Sequence, residues 1–367
     1  MEGASFSIPV AECPMPAIPK DRRRPRVGLK QIAAEAGVSL MTVSRALKGE
    51  GRLSAETRER VKDVARRLRY RPNRLVRAIQ TGRSGTVGVM VNLSRSFTAL
   101  LVRGIHNELA SHGSLPLLHF RGVNTGTSPD PLELDHIHRL LDQRVDGIIV
   151  WPSDETVTDS YLREVWERGI PLVAVDRRLD KTRADFSGTD DVTGGRLAAE
   201  HLLSLGHRRI LHLSGDLRVS TFADRLRGFR MAVGARRAID LQTVECGLDD
   251  CRDRVIELLD APHLPTAIAC ASDLLAQQVY EALEQLGLQA GRDVSVVGFA
   301  DLPESQWLQP KLTTVRQDFE QIGRNAARLI VERLNAGAEA NVAARSLRVT
   351  PELVVRGSTA PPSPKHQ

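Results

Sequence analysis

The chain has 367 residues, 41% of them hydrophobic, with 51 Lys and Arg against 45 Asp and Glu and a formal net charge of +6. That is two to three domains of chain with enough apolar material for packed cores, which excludes a disordered or fibrous protein. No run approaches the ~18 uninterrupted apolar residues of a membrane span, the start lacks the pattern of a signal peptide, and the few irregular cysteines make no disulfide framework, so a cytoplasmic protein with reduced thiols is expected.

The charge is unevenly spread. From Lys20 to Ser84 there are 19 Lys and Arg against 6 Asp and Glu, a net of +13, which leaves −7 for the rest. A compact basic segment on an acidic body is the electrostatic footprint of a module that neutralises phosphates. Residues 1–26 are rich in Pro and small residues, end in the basic run Lys20 to Arg26 and show no apolar period. They are expected to be disordered, adding nonspecific phosphate contacts.

Two short helical patterns follow. Leu29, Ile32, Ala33 and Ala36 share one face, Gly37 supplies a left-handed turn, and Val43, Ala46 and Leu47 repeat the period. Ser39 is placed to cap the second helix, whose other face carries Leu40, Met41, Ser44 and Arg45. That arrangement presents a face to the DNA major groove. Ser54 caps a third helix with the stripe Val61, Val64, Ala65 and Leu68, and Arg58, Lys62, Arg66 and Arg69 point outward. After Tyr70-Arg71-Pro72, the stretch Asn73 to Ile79 carries Leu75, Val76 and Ile79 on one side. A helix this short is marginal in water by itself.

These residues, LKQIAAEAGVSLMTVSRAL with SAETRERV and YRPNRLVRAIQTGRSGTVGVMV, resemble the LacI/GalR family of bacterial repressors. The similarity continues through HRRILHLSG, VVGFADLP, LTTVRQDFEQIGRNAARLI and RVTPELVVRGS, so it covers about Val27 to Thr359. It implies that Leu40 and Met41 are the variable base-selecting positions and that Thr42, Ser44 and Arg45 contact bases and phosphates. Arg71, Asn73 and Val76 belong to the same DNA-binding set. Leu40 and Met41 cannot form the bidentate hydrogen bonds that read guanine or adenine, so they discriminate by apolar contact, as with thymine methyl groups. Ile79 stands where the family has a hinge-helix leucine that wedges into a minor-groove step. Isoleucine is a departure, stiffer at its β-branch.

From Thr86 onward, strand-like apolar runs (87–91, 115–120, 147–151, 171–175, 210–213, 242–244, 267–270 and 294–299) alternate with helical patterns at 100–110, 132–141, 197–205 and 274–286. Strand–helix alternation with continuous apolar strands means parallel sheets covered on both faces. The expected fold is therefore a small all-α helix-turn-helix head (27–72), a hinge helix and linker (73–84), and an α/β body (85–359). The resemblance implies a periplasmic-binding-protein-like body of two doubly wound subdomains, joined by three crossovers, with a ligand between them. The tail, 360–367, is expected to be disordered and is too short for a tetramerising coiled coil, so a homodimer on a palindromic operator is expected.

Enzymatic signatures are missing. There is no G-x-x-x-x-G-K-[ST], no G-x-G-x-x-G after a strand, no G-x-S-x-G elbow and no H-E-x-x-H. His136 and His138 point to different helix faces, and the Cys246 and Cys251 pair has no second pair to complete four metal ligands. No metal and no cofactor is expected. A stand-alone sugar receptor is the rival reading, and the basic head with no signal peptide argues against it.

Ligands of open parallel sheets bind beyond the carboxyl ends of strands. The candidates there are Ser94, Arg95 and Phe97, then Asp154, then the pair Asp176-Arg177. The resemblance adds Arg225, Ser272, Asp273, Phe299, Asp301 and Gln317. Where the family commonly reads G-[FY]-D-D, this chain has Gly298-Phe299-Ala300-Asp301. Without that carboxylate, and with Arg95, Arg177 and Arg225 nearby, the expected ligand is a sugar, and among sugars an acid or phosphate, because guanidinium suits anionic oxygens.

Overall fold

The computed structural model describes residues 27–70, 82–93, 96–121, 131–152, 162–179, 184–234, 238–260, 264–336 and 343–363. Two units emerge, one ending at Asn73 and the other beginning at Arg74. Among the described residues no helix is long and apolar enough to cross a membrane.

The first unit is three helices, α1 (Leu29–Ala36), α2 (Leu40–Lys48) and α3 (Ala55–Arg67). Gly37, at φ 66°, ends α1 in the left-handed region that costs a glycine nothing. The Ser39 hydroxyl accepts the Thr42 N–H at 3.1 Å, and that of Ser54 accepts the Thr57 N–H at 3.1 Å, so both later helices start on side-chain caps. Ile32, Ala33, Ala36, Val43, Ala46, Val61, Val64 and Ala65 form the core, with Leu29, Leu47 and Leu68 packed at its margin.

The second unit holds two six-stranded sheets. The first is built from β1 (Thr86–Asn92), β2 (Leu115–Arg121), β3 (Gly147–Val150), β4 (Leu172–Val175), β5 (Asp185–Thr189) and β11 (Ser346–Val349). Its order is β11-β5-β4-β3-β1-β2 with every pair parallel. The second comprises β6 (Arg209–Ser214), β7 (Asp240–Glu245), β8 (Ala267–Cys270), β9 (Ser295–Ala300), β10 (Thr313–Arg316) and β12 (Glu352–Val354). Its order is β12-β10-β9-β8-β6-β7, antiparallel only at the β12 edge. The chain passes between the layers after β5, after β10 and between β11 and β12, giving three crossovers.

The helices of this unit are α4 (Thr98–Ser111), α5 (Pro131–Asp142), α6 (Arg163–Glu167), α7 (Asp191–Ser204), α8 (Ser220–Val233), α9 (Cys251–Leu259), α10 (Asp273–Gln285) and α11 (Phe319–Ala336). Helix α7 begins six residues before the 197–205 pattern. Its first turns, DVTGGR, carry no apolar period because glycine makes the contact: a Cβ on Gly195 would lie 1.9 Å from the Arg225 carbonyl oxygen. Gly228 on α8 meets the Val192 carbonyl as closely, so the α7 and α8 backbones touch.

Strands β5, β10, β11 and β12 escape the apolar-run reading. All five residues of β5 (DFSGT) are buried, yet three are polar, and each finds a partner inside. Asp185 takes the Arg333 guanidinium at 2.6 and 2.8 Å, Ser187 donates to the Ile322 carbonyl at 2.8 Å, and Thr189 accepts from Gln317 at 2.7 Å. Buried polar groups persist when hydrogen-bonded, which is why a hydropathy pattern misses this strand.

Candidate functional site

In the head, the N-terminal end of α2 is its chemical face. Leu40 is 44% and Met41 64% exposed while Val43 and Ala46 on the reverse are buried, so two apolar side chains are left in water where a polar face would be ordinary. Arg45 and Lys48 occupy the last turn of the same helix. Thr42 shares a 2.9 Å hydrogen bond with Ser39, which fixes its hydroxyl at the helix start. Three cations of α3 turn instead to carboxylates of the head, Lys62 to Glu59 at 2.8 Å, Arg67 to Glu35 at 2.7 Å, and Arg66 to Asp63, while Arg58 donates to the Gly51 carbonyl at 3.3 Å and Arg69 falls beyond the end of the helix. Exposed pairs of this kind hold only about 0–1 kcal/mol, so phosphate can displace them. Arg71, Asn73, Val76 and Ile79 lie outside the described residues.

In the body, a cavity of about 280 Å³ opens between the two sheet layers. Phe97, Trp151, Asp176 and Arg177 line it from the first layer, and Asp216, Phe222, Arg225, Cys246, Ser272, Phe299, Ala300 and Gln317 from the second. The structure thus brings together Phe97, Arg177, Arg225, Ser272, Phe299 and Gln317 from the sequence set. Ser94, Arg95 and Asp154 lie outside the described residues.

Arg225 is the centre of the second-layer wall. It is 5% exposed, and its guanidinium donates from Nε to Asp191 at 2.8 Å, from Nη1 to the Ala271 carbonyl at 2.7 Å and from Nη2 to Gln317 at 3.2 Å. Its carbon lies 3.8 Å from the centroid of the Phe299 ring, a cation–π contact in a dry setting. Gln317 in turn donates to Thr189 at 2.7 Å, so one chain of hydrogen bonds runs from α8 across two crossovers into the first layer. The glycine contact of α7 with α8 sets this geometry, because it brings Asp191 within reach of Arg225. Burial pushes the Asp191 carboxyl up to about 7, against the lowering influence of Arg225.

Two carboxylates expected at the ligand do other work. Asp273 is fully buried, accepts from Thr314 at 2.6 Å, from the Leu302 N–H at 2.8 Å and from Ser305 at 2.5 Å, and burial raises its carboxyl. Asp301 takes Arg316 at 2.7 Å and Arg356 at 2.6 Å. Neither lines the cavity, and both Asp273 oxygens are already engaged by donors from its own layer. The Ser272 hydroxyl caps α10, accepting the Leu275 N–H at 3.3 Å, while its residue stays on the cavity wall.

Trp151 and Phe222 were not legible as ligands. Trp151 follows β3, is 3% exposed, and its indole N–H has no hydrogen-bond partner among the described residues. It stands tilted on Phe97 at 4.9 Å, and Phe97 stacks on Phe319 at 4.0 Å, which makes a fixed aromatic wall. Phe222 faces it from α8. Asp176, at the end of β4, holds φ 64°, and Ala300 and Asp301, at the end of β9, hold 129° and 57°. Non-glycine residues in this region are strained, and such strain clusters at ligand sites. Asp176 belongs to the Asp176-Arg177 pair expected after the fourth strand, and the signal that finds Trp151 is position at a strand's carboxyl end, not residue type.

A three-helix basic head and a two-layer α/β body with a cavity at the carboxyl ends of its strands define a ligand-responsive DNA-binding regulator. Residues 28–73 match the family described as bacterial regulatory proteins, lacI family, and residues 199–359 match the periplasmic binding protein-like domain. The chain is 30% identical over 335 residues to the HTH-type transcriptional repressor PurR of Vibrio vulnificus, covering 89% of this chain and 97% of that one. Among solved structures it is similar to a lac repressor dimer bound to operator and the anti-inducer ONPF, at 27% identity and a TM-score of 0.75, covering 91% and 99% of the two chains. It is also similar to the transcriptional regulator CelR in its cellobiose complex, at 29% identity and a TM-score of 0.65, covering 91% and 100%. The chain belongs to the LacI family.

Proposed function

We propose that this protein is a transcriptional repressor that grips a palindromic operator as a homodimer and is controlled by a small polyhydroxylated ligand bound between its two sheet layers. The observation that carries the ligand class is the mixed lining: the first layer brings the Asp176 carboxylate with the faces of Phe97 and Trp151, and the second brings the Asp216 carboxylate and the Arg225 guanidinium with the face of Phe222. Carboxylate and guanidinium groups bind vicinal hydroxyls as acceptor and donor pairs, and aromatic faces cover the C–H side of a sugar ring.

The charge balance favours a neutral sugar over the anionic one that the arginines alone suggest. Arg225 already has Asp191 as its counter-ion, Asp216 is held by Arg218, and the lining's other arginine, Arg177, shares the space with Asp176, so the charges at the site balance. A planar heterocycle is the second reading, supported by the aromatic walls. On the DNA side we propose that Leu40 and Met41 meet thymine methyl groups, Arg45 a base edge, Thr42 and Ser44 the backbone, and Arg71, Asn73, Val76 and Ile79 the hinge contact.

A thermal-shift screen of neutral sugars, sugar acids, sugar phosphates and nucleobases tests the ligand class, and a gel shift on the protein's own upstream DNA tests the repressor. Stabilisation by a nucleobase alone overturns the sugar reading. The absence of sequence preference over competitor DNA at physiological salt, with and without these compounds, overturns the repressor reading. A tenfold change in operator affinity on ligand addition corresponds to about 1.4 kcal/mol of differential binding.

A further inference from the structure

The head unit ends at Asn73 and β1 begins at Thr86, so residues 74–85 are the covalent link between head and body. Gly82 to Gly85, the described end of that link, is held to the body at two points. The Asp146 carboxylate accepts three donors from it: Oδ1 takes the Ser84 N–H at 2.8 Å and the Ser84 hydroxyl at 3.2 Å, and Oδ2 takes the Gly85 N–H at 2.7 Å. The Arg83 guanidinium donates to the Leu334 carbonyl in the last turn of α11. Just past the clamp, the Gly85 carbonyl accepts the Leu115 N–H at 3.0 Å, where the pairing of β1 with β2 starts.

Asp146 stands on a fixed support. Its N–H donates to the Thr86 carbonyl at 2.8 Å, and it immediately precedes β3, which pairs with β1 on one side and β4 on the other. Trp151, just past the opposite end of β3, lines the cavity. The segment that Asp146 holds is by contrast intrinsically loose: Gly82 and Gly85 sit at φ 69° and 70°, and glycine has more backbone freedom to lose than any other residue. Ser84 and Gly85 keep one direction because a single carboxylate takes both N–H groups, and hydrogen bonds to an ionised acceptor are roughly twice as strong as neutral ones.

We infer that Asp146 is a positioning residue for operator binding: its carboxylate fixes the direction in which the link leaves the body, so that binding the operator does not have to order those residues. The inference rests on the repressor reading above and is independent of which ligand the cavity takes. Releasing the clamp leaves the head's own phosphate contacts intact, and these supply essentially all of nonspecific binding. It adds to operator binding the entropy of ordering the freed residues, and fixing the backbone of one residue corresponds to roughly tenfold in an equilibrium constant. The loss therefore falls on the operator and not on random DNA.

The full-length parent is compared with Asp146→Ala, which removes both acceptors, and with Asp146→Asn, which keeps the shape and turns one acceptor into a donor. In limited trypsin digestion, mass spectrometry follows cleavage after Arg83, within the link, and after Arg230, inside α8 of the other layer. Both variants should be cut after Arg83 about tenfold faster than the parent and after Arg230 at the parent's rate, because only the link has been loosened. In gel shifts, affinity for the protein's own upstream DNA should fall about tenfold in both, with affinity for random DNA unchanged. Equal acceleration at the two cleavage sites makes Asp146 a residue of the body's fold and overturns the inference, as does unchanged cleavage after Arg83. Faster cleavage there with an undiminished preference for upstream over random DNA overturns it too, because the anchor then exists without serving binding. Absence of that preference in the parent overturns the repressor reading itself, and the positioning role with it.

Discussion

Replacing Arg225 with methionine removes a guanidinium engaged by Asp191, the Ala271 carbonyl and Gln317, while leaving a side chain that still covers Phe299. Packing changes little, so electrostatics decides the outcome. Stripping one partner from a buried ion pair costs about 3–5 kcal/mol while the remaining charge persists. Asp191 can escape that cost by taking a proton, because burial has already raised its carboxyl from 3.8 to about 7. Between those values the native protein holds a proton that the unfolded chain has released. The contribution of this group is therefore full below pH 3.8 and lost as pH rises through about 7. Without Arg225 the carboxyl rises further and the window widens upward. Urea unfolding should show Arg225→Met losing about 2–4 kcal/mol at about pH 8, where the parent pair is ionised and the variant has to hold Asp191 protonated, about 1.4 kcal/mol of it for the one pH unit above the parent value of about 7. At about pH 5.5, where Asp191 is neutral in both proteins, only the hydrogen bonds are lost and the deficit shrinks to about 1–2 kcal/mol. Adding Asp191→Asn should make the deficit independent of pH. Equal losses at the two pH values, or a loss below about 1 kcal/mol at the higher one, would refute the account of a buried coupled pair.

Gly228→Ala places a methyl group 1.9 Å from the Val192 carbonyl oxygen. Overpacking of about 1–3 kcal/mol should outweigh the helix-propensity gain of about 1 kcal/mol, so the melting temperature falls, and a rise would show that α7 and α8 can separate freely. Burial pushes the His212 imidazole from 6.5 down to about 4, so its contribution is full above pH 6.5 and lost as pH falls through about 4. His212→Leu should flatten the acid limb of the stability curve by up to about 3 kcal/mol, and an unchanged limb would place the acid sensitivity elsewhere. Arg45→Ala should cost about 1–3 kcal/mol on operator and far less on random DNA, and equal losses on both would move Arg45 to the phosphate backbone.

The head was legible almost to the residue. Its helices are bounded by Ser39, Gly37 and Ser54, whose effect on the backbone is local, and its core is the apolar stripe itself. The strands with continuous apolar runs were equally plain. Strand β5 was not, because its buried Asp185, Ser187 and Thr189 are stabilised by Arg333, the Ile322 carbonyl and Gln317, all more than a hundred residues away.

The cavity divides along the same line. Arg177, Arg225 and Gln317 could be placed near a ligand from motif and strand-end position, but the sequence could not say what else would claim them. Asp273 looks like a ligand group in the motif Ser272-Asp273, yet three donors from later elements consume it. The arginines suggest an anionic ligand until Asp191, brought in by the glycine contact of α7 with α8, neutralises one of them. Local sequence by itself determined caps, turns, apolar faces and the separation of a basic head from an acidic body, because propensity and charge act over a few residues. Only the tertiary structure decided which buried polar groups are left for a ligand, because hydrogen-bond capacity is finite and the partners that exhaust it come from distant parts of the chain.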